Sequence, residues 1–254
     1  MTDGPTPMTP SQTPSFLSSS LRVFDLSLGQ MLWSRRTVFM GLVVGGPVVM
    51  ALLVALVDAL GAGGMRVNGV RLQGPAVFGM MIWVFYLRFS VPVLAVFYGT
   101  SLIADEVEDK TITYLFTRPI PRGAVLVGKY LAYLACTALV VLPSVMFVYF
   151  IVVPRGGTLG ETFPSLVADL GILLLGLAVY GALFAFVGAW LRRPVLTGLL
   201  FVFGWEPVIL VGPGNVKKLT VAHYLQSLAP HSMPADNSAV ALLGSLFRET
   251  PPLG

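Results

Sequence analysis

The sequence has few charged residues and almost no cysteine or histidine. Only 11% of its 254 residues are Asp, Glu, Lys or Arg, whereas an average soluble domain carries about 25%. So few charges cannot cover the surface of a soluble protein of this length, which argues against soluble enzymes and DNA-binding domains. The net charge of +4 is too small to indicate nucleic-acid binding. A single cysteine, Cys136, excludes an intramolecular disulfide and a cysteine-rich metal centre, and no metal site is predicted.

Apolar residues take the place of the missing charges. They make up 56% of the chain, and its mean hydropathy is +0.83. A helix needs about 20 apolar residues to cross the bilayer. Five stretches are candidates: 37–57, 77–104, 130–153, 170–191 and the shorter 195–211. The sequence therefore predicts an all-α integral membrane protein with about five transmembrane helices.

The two ends of the chain have a different composition. Residues 1–20 are mostly Thr, Pro, Ser and Gly, which predicts a disordered tail. Residues 21–36 have apolar side chains at helical spacing and end in Arg35 and Arg36, which predicts an amphipathic helix in the membrane interface. An ordinary helix on the solvent side is the alternative. The predicted transmembrane domain is 21–211, and residues 212–254, with no run long enough to span, form an extracytoplasmic tail.

Basic residues between the spans indicate the orientation. With the N-terminus in the cytoplasm, nine of the 16 Lys and Arg residues lie inside and six outside, and Arg88 lies within a span. The pairs Arg35–Arg36 and Arg192–Arg193 adjoin span ends, where the positive-inside rule is strongest. The distribution predicts a cytoplasmic N-terminus.

The segment between the second and third apolar stretches is the most informative one. Asp105, Glu106, Glu108 and Asp109 follow the second stretch directly. Each carboxylate is stabilised by about 0.3–1 kcal/mol at a helix N-terminus and opposed at a C-terminus. We therefore expect the helix of the second stretch to break near Ala104 and a short cytosolic helix to form over residues 105–117. Pro119 and Pro121 follow it and end it in a stiff turn. From the residues alone, an ordinary solvated loop explains the segment equally well.

This segment resembles the signature of type-2 ABC transporter permeases. The matching positions are Glu106, Thr111, Ile112, Pro119, Ile120, Arg122, Gly128 and Lys129. Lys110 replaces the family's glycine and Pro121 its serine. The family usually has six spans, so the resemblance implies that a sixth is missing here, through truncation or a different use of the tail.

The resemblance implies a permease subunit whose short cytosolic helix docks on a separate ATPase, and transport out of the cell. The implied coupling residues are Asp105, Glu106, Glu108, Thr111, Ile112, Leu115, Pro119, Arg122, Gly128 and Lys129. It implies two ATPase copies that carry the ATP and magnesium, no cofactor on this chain, and a second permease copy in a homodimer or heterodimer. The implied location is the plasma (inner) membrane, with lipid as the surrounding partner.

Residues 123–130 are similar to a phosphate-binding P-loop but do not complete it. The pattern requires Ser or Thr after its lysine, and Tyr130 follows Lys129 here. We therefore expect no ATPase activity from this chain. The other classes considered are a channel or scaffold without ATPase coupling, and an intramembrane enzyme, for which the spans lack paired catalytic groups.

Arg88 lies near the middle of the second apolar stretch. An arginine at the bilayer centre costs about 2.5–3.5 kcal/mol on insertion scales, so its side chain must face protein or water. Glu206 and Asp169 are the candidate partners. Two interpretations stay open: a structural ion pair and a group on the substrate path.

Overall fold

A computed structural model describes residues 15–61, 66–67, 70–71, 73–108, 122–211, 218 and 220–228. This part of the chain is almost entirely helical, which confirms the prediction of an all-α protein. Its helices are α1 (Phe16–Leu32), α2 (Arg35–Ala59), α3 (74–108), α4 (Arg122–Val152), α5 (Leu159–Trp190), α6 (194–211) and α7 (Val221–Leu228). Two short strands, Arg66–Val67 and Val70–Arg71, form an antiparallel pair between α2 and α3.

Two of these helices contain π-helical turns. In α3 the α-helical parts are Gly74–Met81, Val91–Leu94 and Thr100–Glu108, separated by π turns at Ile82–Ser90 and Ala95–Gly99. In α6 a π turn at Phe201–Trp205 separates Pro194–Leu200 from Glu206–Val211. Such turns are rare and occur most often at functional sites.

Four helices are long and apolar enough to cross a membrane. We name them span 1 (Thr37–Ala59), span 2 (Gly74–Ala104), span 3 (Gly123–Val152) and span 4 (Leu159–Trp190). They correspond to the first four predicted stretches, to within a few residues at their ends. The fifth stretch lies in α6, whose apolar part, Pro194–Ile209, is shorter. The number of spans beyond four stays a prediction.

Helix α1 begins earlier than expected. Ser15 caps it, because the Ser15 hydroxyl oxygen accepts a hydrogen bond from the Ser18 amide. The Ser20 hydroxyl donates to the Phe16 carbonyl. The serines, which suggested a disordered tail, therefore bond within the helix. The prediction of disorder is wrong for residues 15–20, and residues 1–14 lie outside the described part.

The two sides of α1 face different surroundings. Ser20 and Ser27 are buried where α1 crosses α4. On another side, Leu17 and Leu21 are 73% and 65% exposed. Membrane-interface helices expose apolar stripes of this kind, and the interfacial location stays a prediction.

Buried tyrosines connect the spans at their centre. The hydroxyls of Tyr86 and Ser144 are 2.6 Å apart. Ser144 also donates to the carbonyl of Val44 at 3.2 Å. This short chain of hydrogen bonds joins spans 2, 3 and 1 in an apolar interior, where an unsatisfied hydroxyl is costly.

Helix α7 belongs to the transmembrane bundle. Leu225 is 3% exposed, and its Cδ1 lies 3.2 Å from where a side chain at Gly176 would begin, with Val91 equally close. Gly176 and Val91 are near the midpoints of spans 4 and 2. The predicted domain boundary at residue 211 is therefore wrong, because residues 221–228 fold back among the spans. Residues 229–254 lie outside the described part.

Glycines bring α3 and α5 into backbone contact. A Cβ atom at Gly188 would lie 2.4 Å from the carbonyl oxygen of Thr100. A Cβ atom at Gly99 would lie 3.1 Å from the carbonyl oxygen of Gly181. Any side chain larger than hydrogen would force these two helices apart at the same end of the bundle.

We therefore expect Gly188→Leu to destabilise the protein by about 1–3 kcal/mol, the usual range for overpacking a well-packed interior. Thermal unfolding of the detergent-solubilised chain measures this loss. Gly171→Leu is the matched control, because Gly171 lies on the same helix with no neighbouring atom within 4 Å of its Cβ position. Equal unfolding temperatures for the two variants would contradict the proposed backbone contact.

Candidate functional site

Three of the four acidic residues at the start of the predicted coupling helix, Asp105, Glu106 and Glu108, lie on the end of α3. This helix continues without a break from Thr100 to Glu108, so the predicted break at Ala104 is wrong. Residues 100–108 contain no glycine or proline, and continuing a helix adds one hydrogen bond per residue. This gain outweighs an unfavourable dipole interaction of about 0.3–1 kcal/mol per carboxylate.

The structure describes the coupling region only in part. The backbone of Asp105, Glu106 and Glu108 is described and their side chains are not. Thr111, Ile112, Leu115 and Pro119 lie outside the described residues, as does the side chain of Arg122. The structure therefore describes only the two helical ends that flank this segment. We call the end of α3 and the start of α4 the two stems of the coupling region.

Lys129 joins the two stems. Its Nζ donates to the carbonyl of Leu102 at 3.4 Å. Leu102 lies three residues before Asp105, and Lys129 lies seven residues into α4. The lysine of the permease signature therefore spans the gap between the helix that enters the coupling region and the helix that leaves it.

Gly128 lies where α1 crosses α4. A Cβ atom there would be 2.6 Å from the carbonyl oxygen of Ser20 and 2.9 Å from the Cβ of Val23. This position admits only glycine, because the nearest atom belongs to a backbone. The glycine of the signature thus lets α1 rest directly on one stem.

Helix α5 is hydrogen-bonded to α4 near the same stems. The hydroxyls of Tyr130 and Tyr133 donate to the carbonyls of Ala178 and Leu177, at 2.6 and 3.0 Å. Gly188 of α5 also packs directly against Thr100 of α3. Together, this contact and the two hydrogen bonds make α3, α4 and α5 one packed unit. We call this unit the stem block.

A second group of polar residues lies within the bundle, around Glu206. The Glu206 side chain is only 4% exposed. Its Oε1 accepts a hydrogen bond from the Tyr180 hydroxyl at 2.5 Å and another from the Ala222 amide at 3.2 Å. The carboxylate therefore joins α6 to α5 and to the first turn of α7.

Arg88 contributes a positive charge to this group. It attracts the Glu206 carboxylate electrostatically, and its guanidinium carbon lies 5.6 Å from the ring centroid of Trp83. The π turn explains that contact, because its hydrogen bonds join residues five apart and bring Trp83 and Arg88 onto one face. The half-buried arginine thus faces protein, as its cost in lipid requires.

Asp169 is the other partner predicted for Arg88. It is buried on α5, eleven residues before Tyr180, which corresponds to roughly 16 Å along the helix. The partner of Arg88 stays a prediction, with Glu206 the candidate whose carboxylate lies within electrostatic range of the guanidinium.

Sequence reasoning missed Tyr180, Trp83 and Ala222. A tyrosine in the middle of an uncharged span needs a hydrogen-bond partner, and that signal was available for Tyr180. The contact of Trp83 with Arg88 could not be predicted, because it depends on a π turn, and the spacing of apolar residues in the sequence does not reveal such turns. Ala222 acts through its backbone amide, which carries no sequence signal.

The sequence of the chain was compared with known protein families. The family described as ABC-2 family transporter protein matches residues 27–235. The chain belongs to this family. No curated protein matches the sequence. The matched range includes α7 and continues to residue 235.

Membership of the ABC-2 family gives the general role of the chain. It is a multi-pass membrane protein and the permease component of an ABC transporter. Proteins of this kind are membrane subunits that work with an ABC ATPase subunit. The stem block and the group around Glu206 are therefore parts of an ABC-2 permease.

We expect Arg88 and Glu206 to be energetically coupled in this permease. Arg88→Met and Glu206→Gln should each lower the free energy of unfolding, since each leaves a charge without its opposite in an apolar interior. The double variant should lose about 1 kcal/mol less than the sum of the two. Denaturation of all four proteins in detergent measures the difference.

The pair Arg88 and Glu161 provides the control for this cycle, because Glu161 is an exposed residue in the first turn of α5. The effects of Arg88→Met and Glu161→Gln on the free energy of unfolding should add in the double variant. Additivity to within about 0.3–0.5 kcal/mol for Arg88 and Glu206 as well would exclude the coupling.

Proposed function

We propose that this chain is the permease of an ATP-driven exporter and is coupled to its ATPase through residues 105–117. The observation that best supports this proposal is that α3 is one continuous helix. One helix runs from the middle of the bundle to Glu108 without a loop, so a displacement of its end is passed to span 2 instead of being absorbed. A flexible connection would be expected in a scaffold or passive channel.

The stem block supports the same proposal. Lys129 joins the end of α3 to α4, and Gly188 holds α5 against Thr100 without an intervening side chain. A force on the coupling segment would therefore move three helices together. In this mechanism ATP closes a pair of ATPase subunits, each ATPase moves the coupling segment of one permease, and the spans rearrange around a path between two permease copies.

The proposal includes features that the family resemblance supports. Two ATPase subunits carry the ATP and magnesium, and they require two docking sites, hence a second permease copy in a homodimer or heterodimer. The chain lies in the inner membrane with its N-terminus in the cytoplasm, and the transport direction is export. Within the bundle, Arg88 and Glu206 form a structural charge pair in this proposal, in preference to a substrate-binding pair.

The coupling role of Glu106 can be tested in membranes that contain the ATPase partner. Glu106→Ala should reduce permease-stimulated ATP hydrolysis several-fold while leaving the amount of folded permease unchanged, because the residue lies at the end of α3 and outside the spans. Glu161→Ala is the matched control, since it removes the same side chain from an exposed position on α5. Full stimulation by Glu106→Ala would refute the docking role, and failure of any ATPase to co-purify would refute the proposed function.

The orientation can be tested with single cysteines. The only native cysteine, Cys136, is buried, so Cys136→Ala gives a suitable background. In intact cells, a membrane-impermeant maleimide should label Thr158→Cys, in the exposed turn between α4 and α5, and not Thr111→Cys. Inverted vesicles should give the reverse pattern. Labelling of Thr111→Cys from outside intact cells would overturn both the orientation and the coupling proposal.

A further inference from the structure

Two groups bind the N-terminal end of α7: the Glu206 carboxylate and Thr220, whose hydroxyl oxygen accepts a hydrogen bond from the His223 amide. Ala222 is the second residue of α7, and the amides of the first helical turn have no partner within the helix. Glu206 Oε1 accepts the hydrogen bond from the Ala222 amide. A negative charge at a helix N-terminus is also stabilised by the helix dipole. Glu206 therefore satisfies one amide in the first turn of α7.

Only part of α7 is buried. Ala222 and Leu225 are buried against the spans, whereas Tyr224 and Leu228 are each 56% exposed. Eight residues form only about two turns, and isolated helices of this length are unstable in water. Helix α7 thus needs its contacts with the bundle to stay folded, and its apolar contact area is small.

The carboxylate itself is firmly placed. The Tyr180 hydroxyl holds the same oxygen from α5, and the charge of Arg88 attracts it from α3. A π turn ends at Trp205, directly before Glu206. The carboxylate is therefore held from α5 and α6, and it is one of the groups that attach α7 to the bundle.

We propose that Glu206 is a latch that holds α7 as a movable plug between span 4 and span 2. With the latch closed, Leu225 fills the space beside Gly176 at the middle of both spans. With the latch open, the Ala222 amide loses its acceptor in an apolar interior, and α7 leaves the bundle. The role of this movement as a gate for transport rests on the proposed function, but the latch itself does not.

The accessibility of Leu225 tests the latch. The full chain carries Cys136→Ala and Leu225→Cys, and is labelled with a maleimide in lipid nanodiscs, where both membrane faces are reachable. Labelling should be slow with Glu206 present. Glu206→Ala should accelerate it by roughly tenfold or more, the factor expected when a hydrogen bond to a charged group is lost. Glu206→Gln keeps an acceptor without the charge and should give a smaller increase.

Two controls separate release of α7 from general unfolding. Glu161→Ala and Glu161→Gln remove an exposed carboxylate from α5 and should leave the labelling rate of Leu225→Cys unchanged. If Glu206→Ala fails to fold, the labelling rates of Leu225→Cys in the Glu206→Gln and Glu161→Gln backgrounds are compared instead. Equal rates for the Glu206 and Glu161 variants would overturn the latch.

Addition of the ATPase partner and ATP distinguishes the latch from the proposed function. If both are correct, ATP should change the labelling rate of Leu225→Cys in the chain that retains Glu206. A rate that depends on Glu206 and ignores ATP would support the latch and count against the proposed coupling.

Discussion

The architecture depends on the direct backbone contact between α3 and α5. At Gly188 the two helices approach so closely that even a methyl group would meet the Thr100 carbonyl at 2.4 Å. Close approach at small residues is the usual basis of helix association in membranes, where apolar burial provides little driving force. Because no side chain separates the helices, they cannot slide past each other independently. This constraint makes span 2 and span 4 a single mechanical body at the end of the bundle that carries the coupling region.

Buried polar groups impose a second constraint further along the same helices. An unpaired carboxylate in an apolar interior is costly, so Glu206 must keep its donors or move. Tyr180 and Arg88 belong to the stem helices α5 and α3, whereas Ala222 belongs to α7. The same carboxylate therefore contacts a well-packed body on one side and a weakly attached helix on the other. This asymmetry is what allows one side of the contact to open first.

The sequence predicted the features that depend on composition over long stretches. It missed those that depend on the balance between competing local interactions. Apolar runs located four spans, because hydropathy over 20 residues is a strong signal. The break at Ala104 was wrong, because helix propagation outweighed the dipole argument on which it was based. Helix α7 was missed, because an eight-residue helix is marginal until Gly176 and Glu206 stabilise it. The π turn that joins Trp83 to Arg88 leaves no periodic trace in the sequence.

Helix α5 provides a physical link between the coupling region and the latch. Gly188 touches the stem of the coupling region, while Tyr180 and Gly176 of the same unbroken helix touch Glu206 and Leu225. These positions extend over twelve residues, or roughly 18 Å. A helix of this length bends far less easily than a loop, so a rotation imposed at Gly188 must also move the hydroxyl of Tyr180 relative to α6. If Glu206 follows the Tyr180 hydroxyl, its hydrogen bond to the Ala222 amide is strained, and the proposed release of α7 requires no separate signal.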